Sequence, residues 1–326
     1  MKKNVIVGQS GGPTAVINAS LYGVVYEALM QKEQIGTVYG MINGIEGFLA
    51  DTIMDMNSVE QSGELELIKT TPGSFLGSCR YKLPEDLKDD VYPLLFKKFE
   101  EYSIGYFFYI GGNDSMDTVS KLSRYAAISG SEICFIGIPK TIDNDLCGTD
   151  HCPGFGSAAK YIGTTFAELE RDCHVYATKA VTIVEVMGRD AGWLTAASCL
   201  ARANGAKGPD FIYLCEVPFS IDTFLKDVKA KLEEQDAVII AVSEGVKNKD
   251  GRYISEEVQS SAVDSFGHSY IAGAAKVLED AVRNEIGCKV RSIELNLMQR
   301  CAAHLASATD IQESRMLGKA ACQYAL

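Results

Sequence analysis

The run Asn4-Val5-Ile6-Val7-Gly8-Gln9-Ser10-Gly11-Gly12-Pro13-Thr14 opens the chain and sets its fold. Asn4–Gly8 has the apolar density of a short buried strand, and glycines follow at once. Ala15–Met30 then spaces Val16, Leu21, Val24, Val25, Ala28 and Leu29 as a helix does. The alternation continues downstream. Strands are predicted at Tyr106–Ile110, Ile133–Ile138, Val181–Val186, Phe211–Glu216 and Ala237–Ser243. Helices are predicted at Ser115–Tyr125, Phe155–Glu170, Ala191–Ala203 and Thr223–Gln235, with one more from near Glu313. Alternating strands and helices predict an α/β protein with largely parallel sheets.

The 326 residues suffice for about two domains, or one large one. A boundary is expected just after the Gly137–Asp150 loop. Basic residues number 31 against 43 acidic, a net charge of −12. That sign repels a phosphate backbone and argues against nucleic acid as a partner, but a small phosphorylated ligand needs only local donors. No stretch approaches the roughly 20 apolar residues of a membrane span. The apolar run after Lys2-Lys3 is too short for a signal peptide. Ten cysteines without a C-x-x-C pair are expected as mostly buried thiols of a reducing cytoplasm.

Ligands of parallel sheets gather at the carboxyl ends of strands, and three strands here end in unusual loops. In Gly8–Thr14, glycines would let backbone N–H groups approach an anion at the start of a helix; a plain tight turn is the alternative. Gly111-Gly112-Asn113-Asp114-Ser115 offers oxygens for a hard cation such as Mg²⁺, or simply a helix cap. Pro139-Lys140-Thr141-Ile142-Asp143-Asn144-Asp145 gathers two carboxylates, an ammonium and a hydroxyl. In extended backbone Asp143 and Asp145 share a side. One could hold a cation while the other takes a proton, and Lys140 could neutralise phosphoryl charge. A solvated polar loop is the alternative. Further on, Arg189 of Met187-Gly188-Arg189-Asp190 offers a planar fork for phosphate, or pairs with Asp190 or Glu185. Glu244, after Ser243, could accept hydrogen bonds from sugar hydroxyls, or cap. Arg291 and Arg300 bracket Leu295–Gln299, a pattern expected of a buried strand with solvated ends.

Taken together, these motifs resemble the phosphofructokinase family. Ser10-Gly11-Gly12 with Asn18-Ala19, Gly77-Ser78-Cys79-Arg80, the GGND segment, PKTIDND, MGRDAGW, Ser243-Glu244 and Gln299-Arg300 occur in that family's order and spacing over nearly the whole chain. The resemblance implies two Rossmann-like three-layer domains with mostly parallel sheets. Residues 1–156 plus 299–326 would bind the phosphoryl donor, and 157–298 the sugar phosphate. It implies reversible phosphoryl transfer to the 1-hydroxyl of fructose 6-phosphate. Asp143 matches the general base, and Thr141, Ile142 and Asp143 lie around the reacting hydroxyl. Met187, Gly188, Arg189 and Glu244 match the sugar site, and Arg291 and Arg300 a grip on its phosphate. Gly11, Gly12 and Arg80 match donor contacts, and Asn113 and Asp145 the surroundings of Mg²⁺. A cytoplasmic homodimer or homotetramer is implied, with sites near subunit interfaces.

Two positions address the donor. Members using ATP carry GGDGS and PGTIDND; here Asp114 and Lys140 replace glycines, as in members using pyrophosphate. Asp114 adds bulk and negative charge where a nucleotide's α-phosphate would lie, and Lys140 can stabilise the transferring group. Pyrophosphate is therefore the expected donor. An ATP-dependent enzyme and a non-catalytic sugar-phosphate-binding paralogue are the rivals. Asn113 in place of a metal-binding Asp, Ala180 in place of an inter-subunit Arg and Leu297 in place of a His are departures from the family pattern. The length is short for the fold, so Leu326 is expected to be a truncation that uncovers a sheet edge or apolar face.

Overall fold

The computed structural model describes residues 2–257 and 273–326. It divides into two compact units. One holds residues 1–142, 146–157 and 300–326; the other holds 143–145 and 158–299.

The first unit is built on β1 (Lys3–Gln9), β2 (Ile35–Met41), β3 (Ile53–Asp55), β4 (Ile104–Gly111) and β5 (Cys134–Pro139), in the order β3-β2-β1-β4-β5. β1 pairs in parallel with β2 and β4, and β4 with β5. β3 runs antiparallel to β2. The chain leaves β1 for β2 on one side and returns as β4 on the other. The carboxyl ends of β1 and β4 thus form the switch point where open α/β sheets bind ligands.

Side chains alternate across this sheet. Val5, Val7, Phe108 and Ile110 join one core cluster with α1 (Ile17–Met30), α3 (Met56–Gln61) and α4 (Leu65–Ile68), after α2 (Gly44–Leu49). Ile6, Phe107 and Tyr109 join the other with α2, α5 (Val91–Glu101) and α6 (Asn113–Ser129). Both faces are covered, as a parallel sheet requires.

α7 (Phe155–Cys173) leads into the second unit. There β6 (Ala180–Val186), β7 (Phe211–Tyr213), β8 (Ala237–Ser243) and β9 (Lys289–Glu294) form a parallel sheet in the order β7-β8-β6-β9. α8 (Trp193–Ala197), α9 (Ile221–Glu234) and α10 (Ala274–Glu285) accompany it. Val181, Ile183, Val238 and Ile240 pack against α9 and α10, while Val184, Val186, Ile239 and Ala241 are buried on the other face. α11 (Met298–Cys301) and α12 (Ala308–Ala325) end the chain.

Several local expectations are corrected. The final helix starts at Ala308, not near Glu313, because the Ser307 hydroxyl accepts the N–H of Asp310 and caps it. The helix expected over Ala191–Ala203 is α-helical only as α8 and continues as 3₁₀ turns over Ser198–Asn204. β7 stops at Tyr213, where its pairing with β8 ends, and Pro218 follows five residues on. Leu295–Gln299 is not a buried strand. Asn296 adopts a left-handed φ of 43°, Leu297 and Met298 are exposed, and α11 begins. All ten cysteines are free thiols, but only Cys79, Cys152 and Cys322 are buried. Among the described residues no helix is long and apolar enough to cross a membrane.

α1 and α12 meet backbone to backbone at glycines. A Cβ on Gly23 would lie 2.2 Å from the Arg315 carbonyl oxygen, and one on Gly318 2.1 Å from that of Ser20. Gly23→Ala is therefore expected to destabilise the fold. Helix propensity favours alanine by about 0.5–1 kcal/mol, but forcing two backbones apart costs about 1–3 kcal/mol. Urea unfolding should show a lower midpoint; an equal or higher one would contradict the close approach.

Candidate active site

Three loops begin where β1, β4 and β5 of the first unit end, and because these strands are neighbours the topology alone brings the loop starts together. Lys140 joins them. Its backbone N–H donates to Gly111 O at 2.9 Å. Its ammonium donates to Ser10 O at 3.0 Å and Gly12 O at 2.6 Å. Only 3 % of the residue is exposed. A buried ammonium needs such acceptors to offset lost hydration, so the glycine loop is shaped around it.

The first glycine loop differs from expectation. Its early N–H groups do not face outward as an anion cradle. Ser10 donates to Ile110 O at 2.9 Å and Gly11 to Cys79 O at 3.1 Å. The Ser78 hydroxyl donates to Gly11 O at 2.6 Å. Positive charge comes instead from the side chains of Lys140 and Arg300 beside the loop. A Cβ on Gly11 would lie 3.5 Å from the Lys140 ammonium, and one on Gly12 2.9 Å from an Arg300 guanidinium nitrogen. Gly11 also holds φ +75°, where L side chains are strained. Arg300 thus stands against Gly12. Arg80 is exposed and follows Cys79, the residue that fixes Gly11.

The second loop does not use Asn113 or Asp114 as a cap. Gly112 is the cap residue of α6, and Asn113 and Asp114 form its first turn. Asn113 is exposed and Asp114 half-buried. In the third, Thr141 donates its N–H to Pro153 O at 3.1 Å. Ile142 is buried, Asp143 half-buried and Asp145 exposed, with Asn144 between them at φ +58°.

In the second unit the turn Met187-Gly188-Arg189 follows β6 and Glu244 follows β8, again neighbouring strands. Gly188 donates its N–H to Glu244 Oε1 at 3.2 Å, and the Ser243 hydroxyl donates to Gly188 O at 2.7 Å. Met187 donates to Gln299 Oε1 at 3.1 Å. Glu244, Met187 and Gln299 line a small pocket with Glu185, Val186, Glu294 and Asn296. Glu185 accepts the N–H groups of Gly273 and Ala275 at the start of α10, and Asp190 pairs with Lys247 at 3.1 Å. Arg291 lies within β9 opposite Thr182 and is exposed.

Burial pushes the Glu244 carboxyl up to about 7 from 4.5. The Gly188 N–H and the Arg189 charge work against that rise, while Asp143 and Glu185 add to it. The carboxyl therefore changes charge near neutrality. The glycine pairs and the PKTIDND, MGR and SE motifs point to these loops directly. Ser78, Ser243 and Gln299, which lie in the GSCR, SE and QR motifs, hold the loops in shape through their hydrogen bonds. Among the described residues no three His, Cys, Asp or Glu side chains are grouped to hold a metal.

The raised pKa has a stability consequence. Between about 4.5 and about 7 folded Glu244 holds a proton that the unfolded chain releases. Its contribution favours folding below that window and is lost as pH rises through it. Glu244→Gln removes this slope. From about pH 5 to about pH 8 the variant should gain stability relative to the parent by up to about 3 kcal/mol, at 1.36 kcal/mol per pKa unit. Urea melts at both pH values check it; an unchanged difference would place the carboxylate at its ordinary pKa.

The phosphofructokinase family model matches residues 4–325. The chain is 41% identical to a pyrophosphate–fructose 6-phosphate 1-phosphotransferase of Xanthomonas campestris, over 99% of this chain and 77% of that one. It is 34% identical to a sulfofructose kinase of Alkalicoccus urumqiensis, over 96% of this chain and 78% of that one. It superposes with a TM-score of 0.86 on the crystal structure of a pyrophosphate-dependent phosphofructokinase from Nitrosospira multiformis, at 37% identity, covering 100% of this chain and 77% of that one. With loops, motifs and fold in agreement along its length, the chain belongs to the phosphofructokinase family.

Proposed function

We propose that the protein is a pyrophosphate-dependent 6-phosphofructokinase. It transfers a phosphoryl group from pyrophosphate to the 1-hydroxyl of fructose 6-phosphate, reversibly. The observation that carries the donor assignment is Lys140, a buried ammonium bonded to Ser10 O and Gly12 O, in a position where ATP-using members have glycine. Asp114, half-buried in the first turn of α6, supports the same reading, since its charge and bulk oppose a third phosphate. Identity of 37–41% to proteins named for pyrophosphate adds to it.

Asp143 takes the proton from the sugar hydroxyl, and the alkoxide attacks one phosphorus of pyrophosphate. Lys140 stabilises charge on the transferring group, with Gly11, Gly12 and Arg80 about the donor. Thr141 and Ile142 flank the reacting hydroxyl. Met187, Gly188, Arg189 and Glu244 hold the sugar, and Arg291 and Arg300 grip its phosphate. The place of Arg300 beside Gly12 suits a donor phosphate equally. Catalysis is then mainly positioning and charge stabilisation.

The donor set fits Mg²⁺. Asn113 and Asp145 are exposed oxygen donors, and a magnesium ion that arrives with pyrophosphate needs only one or two protein ligands beside phosphate and water. When bound, the ion would neutralise charge on the donor. The domain roles follow the same division: donor binding in the first unit, sugar binding in the second. A cytoplasmic homodimer or homotetramer belongs to this reading.

A coupled assay tests it. With Mg²⁺ and fructose 6-phosphate the protein should consume pyrophosphate and not ATP; the reverse preference would overturn the donor assignment. The sulfofructose kinase relative makes the 6-substituent worth a second arm. Preference for a 6-sulfo acceptor over the 6-phosphate would overturn the acceptor. Asp143→Ser should abolish turnover with an unchanged fold, and a near-normal rate would remove Asp143 from the base role.

A further inference from the structure

Asp310 has no place in the assignments above, yet it is among the most fully engaged carboxylates of the first unit. It sits in the first turn of α12 and is 4 % exposed. Its Oδ1 accepts the N–H of Gly154 at 3.0 Å. Its Oδ2 accepts the N–H of Ser157 at 2.9 Å and the Ser157 hydroxyl at 2.6 Å. The Ser157 oxygen accepts the N–H of Ser307 at 3.1 Å. A carboxylate from one helix thus satisfies the start of another, α7, where negative charge is also favoured by the helix dipole.

Gly154 is where two loops of the candidate site meet. Thr141 bridges Gly154 in parallel register, and its N–H donates to the adjoining carbonyl of Pro153. Gly154 holds φ +107°, and a Cβ there would lie 2.6 Å from the Thr14 methyl. Its backbone therefore touches the end of the Gly8–Thr14 loop on one side and the Lys140–Asp145 loop on the other. We propose that Asp310 is a positioning residue. It fixes Gly154, and through it the spacing of the two loops, without itself touching substrate. The inference rests on the functional reading above and extends it to a residue far away in sequence.

Phosphoryl transfer depends on alignment, where a displacement of about 1 Å costs on the order of 10²-fold. Three variants test the claim: Asp310→Asn, Ser157→Ala and, as a control on the same helix, Lys319→Ala, which loses only a 3.8 Å ion pair to Glu27. Per folded molecule, Asp310→Asn should lower kcat with pyrophosphate by about 30-fold or more, with KM for fructose 6-phosphate unchanged. Amide hydrogen exchange should quicken across 139–146 as well as at the start of α7. Ser157→Ala should do the same more weakly, and Lys319→Ala should do neither. If Asp310→Asn does not fold, Ser157→Ala carries the comparison. An unchanged kcat, or faster exchange confined to α7 and α12, would reduce Asp310 to an ordinary helix cap and overturn the proposal. If the parent protein fails to use pyrophosphate, the functional reading falls, while the exchange measurement still decides the role of Asp310.

Discussion

The hydrogen bonds from the buried Lys140 ammonium to Ser10 O and Gly12 O are the constraint on which the first unit's site depends. A cation at that depth is stable only where oxygen atoms replace its water. The glycine loop supplies them, and this explains how it is used. The Ser10 and Gly12 carbonyls turn toward Lys140, the Ser10 and Gly11 N–H groups turn to Ile110 and Cys79, Gly11 takes up the positive φ of the turn, and the missing Cβ of Gly12 leaves room for Arg300. The loop is then less an anion cradle of N–H groups than a socket that sets one cation and admits another.

The second unit solves a different problem with the same means. Two hydrogen bonds, from the Gly188 N–H to Glu244 and from the Ser243 hydroxyl to Gly188 O, fix the turn after β6 against the turn after β8, which strand order already makes neighbours. Gly188 holds φ +133°, and a Cβ there would lie 2.3 Å from Ala191 O. Only glycine therefore fits this position of the turn. A Glu244 that titrates near neutrality can accept or donate with little penalty.

Much of this was legible in the chain itself. β1, β4, β5, β6 and β8 are dense apolar runs ended by glycine or polar loops, and such runs seldom mean anything else. The site motifs follow them directly. The segment from Gln31 to Ser103 was opaque for a physical reason. β2 has glycines at positions 36 and 40, which weaken a strand signal, yet Gly40 is there because Leu76 and Met56 pack onto its backbone. β9, Lys-Val-Arg-Ser-Ile-Glu, is an edge strand in which three of six residues are charged, which breaks the apolar run a buried strand shows. Which way the N–H groups of Ser10 and Gly11 point, and that Asp310 reaches Gly154 across 156 residues, depend on tertiary contacts that no local pattern records.

Lys140 both shapes the loop and is assigned to the transferring phosphoryl group. The most direct measurement is the turnover number of Lys140→Gly with pyrophosphate, Mg²⁺ and fructose 6-phosphate, beside its thermal unfolding. The variant is expected to fold, with a turnover lower by at least about 10²-fold, the scale of losing one preorganised charge at the transition state. A folded variant that keeps turnover within a few-fold would show that Lys140 only packs the loop.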